Sequence, residues 1–253
     1  MYDLATFTFK DMIECGFDLG QLGLRADSME SASMRIVNYF YKQLIDKQTG
    51  TSACALIRCF KTHPYEELDG ELQQSVRSMM GNQTPSGSMK CLTLLGTVGD
   101  QWEWNSRHTS IGHKAIPLVS EEMVAQSPMI SQLIGQMGLD IKSVLKPDPT
   151  LLVGLEERKL NVFHVPVAMG SSYIPAQDSF VIPYKIKSVM GFGGLFPSGN
   201  LFTIIMFSKV SIPRNTAEIF KTLASNVKLA LLPFDGKTVF TNSLSGFGNY
   251  YRG

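Results

Sequence analysis

The side chains best suited to chemistry in this sequence are four histidines, at 63, 108, 113 and 164, and four cysteines, at 15, 54, 59 and 91. Imidazole is the commonest metal ligand and general base near neutral pH. His108 and His113, five residues apart, have no neighbouring carboxylate motif and so do not make the HExxH pair that holds zinc on one helix face. No metal site is expected. A haem iron needs one axial imidazole, which His113 or His164 could supply, and the same rings could equally be packed as neutral, hydrogen-bonded side chains.

The cysteines form no CxxC pair, and thiols on strands usually behave as small buried hydrophobes. Strand alternation over an odd separation puts Cys54 and Cys59 on opposite faces, against a redox pair. There is no phosphate-binding loop, no Ser-His-Asp order and no paired-carboxylate motif. The run GFGG at 191–194 lacks the spacing of a phosphate cradle and suits close backbone approach or a bulge. A non-catalytic domain is expected. Trp102 and Trp104 share one loop, as a lid or as anchors of that loop to the core. Met123, Met129 and Met137 are suited to filling core or to lining an adaptable apolar cavity.

Composition narrows the class further. With 253 residues, 44% hydrophobic, the chain can bury a substantial core. A net charge of +1 carries no footprint of a nucleic-acid partner. The longest apolar runs, 201–207 and 229–234, are far short of the ~20 residues a membrane-spanning helix needs. The first residues lack a basic start and an apolar block, so no signal peptide is expected and the default location is cytoplasmic.

Positioning elements follow from periodicity. Residues 27–46 read as a helix with Asp27 at the N-cap, Glu30 reaching back to it, and Met29, Ala32, Ile36, Val37, Phe40 and Leu44 on one face. Residues 53–60 read as a buried strand, 62–65 as a turn around Pro64, 67–80 as a helix and 91–97 as a second strand. Ser120 caps a helical stretch to Gly138 that Pro128 divides, and a short helix is expected at 151–157, then a strand at 161–165. Strands 187–193 and 201–209 form a hairpin. A final helix starts at Asn215 and Glu218 and buries Phe220, Leu223, Ala224, Val227 and Leu231 until Pro233 ends it. Residues 233–253 read as a flexible polar tail or linker. Together these predict an α+β fold, a central antiparallel sheet with flanking helices.

In the terminal half, Phe163-His164-Val165-Pro166, Tyr173, Phe180 and Lys185-Ile186-Lys187-Ser188-Val189 precede the hairpin and last helix, and Ile111-Gly112-His113-Lys114-Ala115-Ile116 forms a Gly-containing step. This order resembles a GAF domain, with its GAF/PAS-like sheet, over about 28–232. Residues 1–27 would form a helical extension, and about 120–160 a helical insertion longer than the family requires. The phrases KTHPYEEL, YIPAQDSFVIPYKIKSVMGFGG and TAEIFKTLASNVKLALLPF are similar to the N-terminal sensor region of bacterial, especially cyanobacterial, multidomain signalling proteins such as hybrid histidine kinases and nucleotide cyclases. The resemblance implies a cytoplasmic sensor domain with a small-molecule ligand in a cavity, a homodimer through the terminal helices, and an output domain such as a kinase or cyclase. The expected ligand-facing residues are Trp104, His113, Phe163, His164, Tyr173, Tyr184 and Met190. No covalent bilin is expected, because no Cys-His dipeptide occurs, and the cysteines do not follow the pattern of the GAF-like methionine sulfoxide reductases. A ligand-free dimerisation or interaction module and a haem or redox sensor are the alternatives.

Overall fold

Thr8 and Asp11 cap one another's backbone and start the first helix, α1 (Phe9–Leu22), while Leu4 and Phe7 just before it are buried. Helix α2 (Met29–Gln43) begins one residue later than its sequence suggests: Ser28 is the cap and accepts from the Ser31 N–H. Glu30 is thereby free for a different partner, described below. The predicted apolar face of α2 is completely buried, from Met29 through Phe40 to Leu44. The computed structural model describes residues 1–147 and 160–241. The short helix expected at 151–157 lies outside them.

The remaining elements are β1 (Tyr2–Asp3), β2 (Leu44–Ile45), β3 (Cys54–Pro64), α3 (Gly70–Met80), β4 (Lys90–Gly99), β5 (Ala115–Pro117), α4 (Glu121–Ala125), α5 (Pro128–Gln136), α6 (Ile141–Leu145), β6 (Phe163–Val165), β7 (Ser188–Leu195), β8 (Leu201–Ser208) and α7 (Arg214–Leu231). Six strands make one antiparallel sheet in the order β5-β4-β3-β8-β7-β6, and β1 and β2 form a separate short parallel pair. The fold is the expected α+β one. Strand β3 runs on through the expected turn, and Pro64, which has no N–H to donate, sits at its end opposite Lys90. The hairpin register is unbroken from Ser188–Ser208 to Leu195–Leu201, so the glycines there serve close approach and not a bulge. A Cβ on Gly193 would lie 2.0 Å from the Phe202 carbonyl oxygen. Helix α7 starts after Pro213 without a side-chain cap, and Glu218 pairs with Arg214.

Both sheet faces are covered, which is why β3 and β8 are buried along nearly their whole length. On one face α1, α2 and α7 close a core around Phe40, Phe192 and Phe220, whose rings lie 5.4 to 6.4 Å apart. On the other face α4, α5 and α6 and the loops around them close a second core over Leu56, Phe60, Ile205 and Phe207. A register shift between Cys54 and Leu56 brings Cys54 onto the helix face with Cys59, correcting the alternation expected for this pair.

The first 27 residues are integral to the helix-side core through Leu4, Phe7, Met12, Cys15 and Leu19. Just beyond α1, the chain passes so close to α7 that a Cβ on Gly23 would sit 2.2 Å from the Ala230 carbonyl oxygen. Gly23→Ala must push backbone against backbone, and a loss of ~1–3 kcal/mol is expected on chemical denaturation. Gly20→Ala, where a Cβ meets nothing within 4 Å, is the matched control and should not lower stability.

Residues 233–241, the described part of the expected tail, run along the start of α2 with Phe234, Val239 and Phe240 partly buried against the core. The Met29 and Glu30 N–H groups donate to the carbonyls of Thr238 and Val239, and the Thr241 N–H donates to Glu30 Oε2. This strap satisfies the amide donors that the start of α2 leaves open. No helix among the described residues is long and apolar enough to cross a membrane.

Candidate functional site

The face of the sheet under α4–α6 carries the residues best placed to meet a ligand. Trp104 rises from a short 3-10 turn (Trp102–Asn105) after β4, anchored because Thr97 Oγ1 donates to its carbonyl and the Gly99 N–H donates to Asn105. Its ring packs 4.6 Å from Tyr184 and 5.6 Å from Phe180, which stands edge-on to Phe207 at 4.9 Å. Phe180 lies in a π-helical turn (Gln177–Val181) after a loop that Gln177 staples, its Nε2 donating to the carbonyls of Ala168, Ser171 and Ile174. The result is a half-buried aromatic cluster at the rim of the second core. Trp102 stays in solvent, 71% exposed.

Of the seven residues expected at a ligand, Trp104 and Tyr184 meet directly, and Phe163 is fully buried in the same insertion-side core. Tyr173 lies in the exposed loop before the π-turn. His113 is exposed and holds a left-handed backbone (φ 57°) directly after Gly112 (φ 71°). Met190 and His164 do not face this side. Met190 is buried against the helices. The His164 ring lies on the face opposite Phe163, with Nε2 2.9 Å from the carbonyl oxygen of Ile212. That contact commits one ring nitrogen of His164. Among the described residues no group of three or more His, Cys, Asp or Glu could hold a metal ion.

The loop from Ser106 to Lys114 is held by charge. Arg107, buried, pairs with Glu30 of α2 and, at 2.8 Å, with Asp69 at the cap of α3, and its guanidinium lies 5.4 Å from the Phe240 ring of the strap. Glu71 takes Lys114 Nζ at 2.7 Å and His108 Nδ1 at 2.6 Å. Two buried charged side chains lie outside the residues expected at the site. Arg58 faces the insertion side from the middle of β3, between Leu56 and Phe60. Its signal was present, a single charged residue inside the apolar run 53–60. Lys61, on the helix face, is buried and lies 3.4 Å from Asp235 of the strap.

His63, one of the four candidate histidines, lies under the same strap. It is fully buried, its ring is 5.7 Å from that of Phe240, and neither ring nitrogen has a hydrogen-bond partner. Burial first, and then the neighbouring charge of Lys61, push its pKa well below the ordinary histidine range, so the folded protein holds it neutral. The unfolded chain takes up a proton as pH falls through about 6.5 while the folded one does not. Stability is therefore complete above that pH. Below it, His63 should cost about 1.4 kcal/mol per pH unit until its folded pKa is reached. Urea midpoints at pH 7.5 and 5.5 for the wild type and His63→Leu test this: the variant should lose less on acidification.

No protein-family model and no curated protein matches the chain. Three solved structures overlap it broadly at low identity. The GAF domain of a phosphoenolpyruvate-protein phosphotransferase from Coxiella burnetii is 11% identical, with 91% of this chain and 96% of that one covered at a TM-score of 0.45. The phycoerythrobilin-bound GAF domain of a cyanobacterial phytochrome is 9% identical, covering 91% and 97% at 0.41. An N-acylhomoserine lactone dependent transcription factor of the LuxR family from Burkholderia cenocepacia is 10% identical, covering 90% and 98% at 0.38. These overlaps assign no residue a role. The fold itself rests on the chain's own topology, an α+β arrangement of a six-stranded antiparallel sheet with helices on both faces.

Proposed function

We propose that this chain is a non-catalytic sensory or regulatory domain that binds a small ligand over the insertion side of its sheet and relays the bound state through α1, α2 and α7. The observation that supports this is a division of labour between the faces. One core is closed by the terminal helices, the other by loops and short helices from the middle of the chain. Strand β3 serves both, with Leu56, Arg58 and Phe60 on one side and Ile57, Cys59 and Lys61 on the other. A ligand that favours one packing of the insertion side therefore shifts strands on which the terminal helices rest. An output module such as a histidine kinase or nucleotide cyclase would suit such a relay. Native mass spectrometry of the purified chain, with an absorption spectrum, tests the reading. A retained small mass supports it, a Soret band would replace it with a haem sensor, and neither would leave an interaction module.

The same reading makes the domain a homodimer through α1. Phe9, Ile13 and Phe17 recur every four residues and are 64%, 58% and 72% exposed, an apolar stripe facing away from the core. Light scattering across a concentration series should give a dimer for the wild type and a monomer for Ile13→Asp combined with Phe17→Glu. A wild-type monomer at high concentration would sink the dimer.

A further inference from the structure

Among the described residues two arginines are buried, and their charges are met in opposite ways. Arg107 has Glu30, Asp69 and, at 3.6 Å, Glu71 around it. Arg58 is 8% exposed and has no carboxylate within ion-pair distance among the described residues. Its Nη2 donates to Ser110 Oγ at 2.8 Å, and its buried Nε has no acceptor. Enclosure lowers its pKa to about 10, so it remains charged at neutral pH. A guanidinium taken out of water without a counter-charge is among the costliest groups to bury. Its planar fork is also shaped to grip a carboxylate or phosphate.

The surroundings narrow the chemistry. On the same sheet face Arg58 stands opposite Thr97 of β4 and Ile205 of β8, with Leu56 and Phe60 before and after it on β3. The Trp104 ring covers the Leu56 end, because a Cβ on Gly99 would meet both Trp104 Cε3, at 2.7 Å, and Leu56 Cδ1, at 3.2 Å. His113 lies near enough that the Arg58 charge, after partial enclosure, lowers its pKa. It is thus more readily neutral at physiological pH and adds no second fixed charge. One positive fork with a hydroxyl beside it and an apolar wall around it suits a single acidic group on an apolar body.

We infer that Arg58 anchors an anion, and that the ligand of this face is a small amphipathic acid whose carboxylate or phosphate pairs with the Arg58 fork while its apolar part lies along Leu56 and Ile205. This rests on the ligand-binding reading above and names the class of ligand. The test titrates the full chain and its Arg58→Met variant with octanoate, octyl phosphate and neutral octanamide, by calorimetry and thermal melting. The acids should bind the wild type, and the stronger of the two identifies the acidic group. The amide, and either acid with the variant, should bind at least about tenfold more weakly. Without ligand, Arg58→Met should melt no lower than the wild type, since it removes a buried charge with no counter-charge among the described residues and gives up only the hydrogen bond to Ser110. Equal binding of octanamide and octanoate to both proteins overturns the anion anchor while leaving a ligand-binding domain in place. An unliganded variant that melts well below the wild type overturns it as well, by making Arg58 structural. No response of the wild type to either acid also overturns it, whereas a retained neutral compound in the native mass spectrum would keep the sensory reading alive.

Discussion

Arg107→Met is expected to destabilise the protein by about 3–5 kcal/mol, because it strands the Glu30 carboxylate in a site built around a positive charge. Glu30 is nearly as buried as its partner, with side-chain exposures of 11% and 4%. The remaining donor to Glu30 Oε2, the Thr241 N–H, cannot replace the charge. For a chain of this length the melting temperature should fall on the order of 10 °C. Pairing the substitution with Glu30→Gln should recover a large part of the loss, since removing both charges costs much less than orphaning one. A double-mutant cycle by urea denaturation measures the coupling, and additive losses would refute it. Arg107 also joins α2, the α3 cap and the strap, so its loss should raise proteolysis near residue 240 before global unfolding.

The second large effect belongs to the helix-side core. Phe220→Ala should cost about 3–5 kcal/mol, the combined loss of buried apolar surface and of a cavity that its neighbours cannot close. The ring is completely buried and lies 4.8 Å from Phe7, 5.4 Å from Phe192 and 6.4 Å from Phe40, so it joins the N-terminal segment, β7 and α2 through α7. Each of those partners is fixed by a different element, which leaves little room for collapse. Leu229→Ala on the same helix, at a side chain 63% exposed, should change stability by no more than about 0.5 kcal/mol. Comparable losses at the two positions would contradict the placement of the core.

These contrasts show what kind of information the chain carries locally. The faces of α2 and α7 were legible because helical periodicity is set by backbone geometry and read directly from spacing. Ser120 as a cap, the break at Pro128 and the 195–201 hairpin were legible for the same reason, since each depends on residues a few positions apart. The end of β3 was not, because a strand stops where its partners stop, and β4 pairs with it through Pro64. The candidate site was legible only in part. Trp104 and Tyr184 are aromatic residues 80 positions apart, and nothing in either neighbourhood says that their rings meet. His164 and Met190 were expected beside Phe163, yet strand alternation and pairing turn them to the other face.

The sequence by itself determined the α+β class, the helix faces and the hairpin, because these follow from short-range periodicity and turn chemistry. Only the tertiary structure decided the charges. Glu30 reads as a capping residue until Arg107, 77 residues away, is brought against it. Arg58 reads as one polar residue in an apolar strand until Ser110, 52 residues away, is brought against it while no carboxylate among the described residues reaches ion-pair distance. Counter-charges are supplied through space, at distances along the chain that no local pattern encodes.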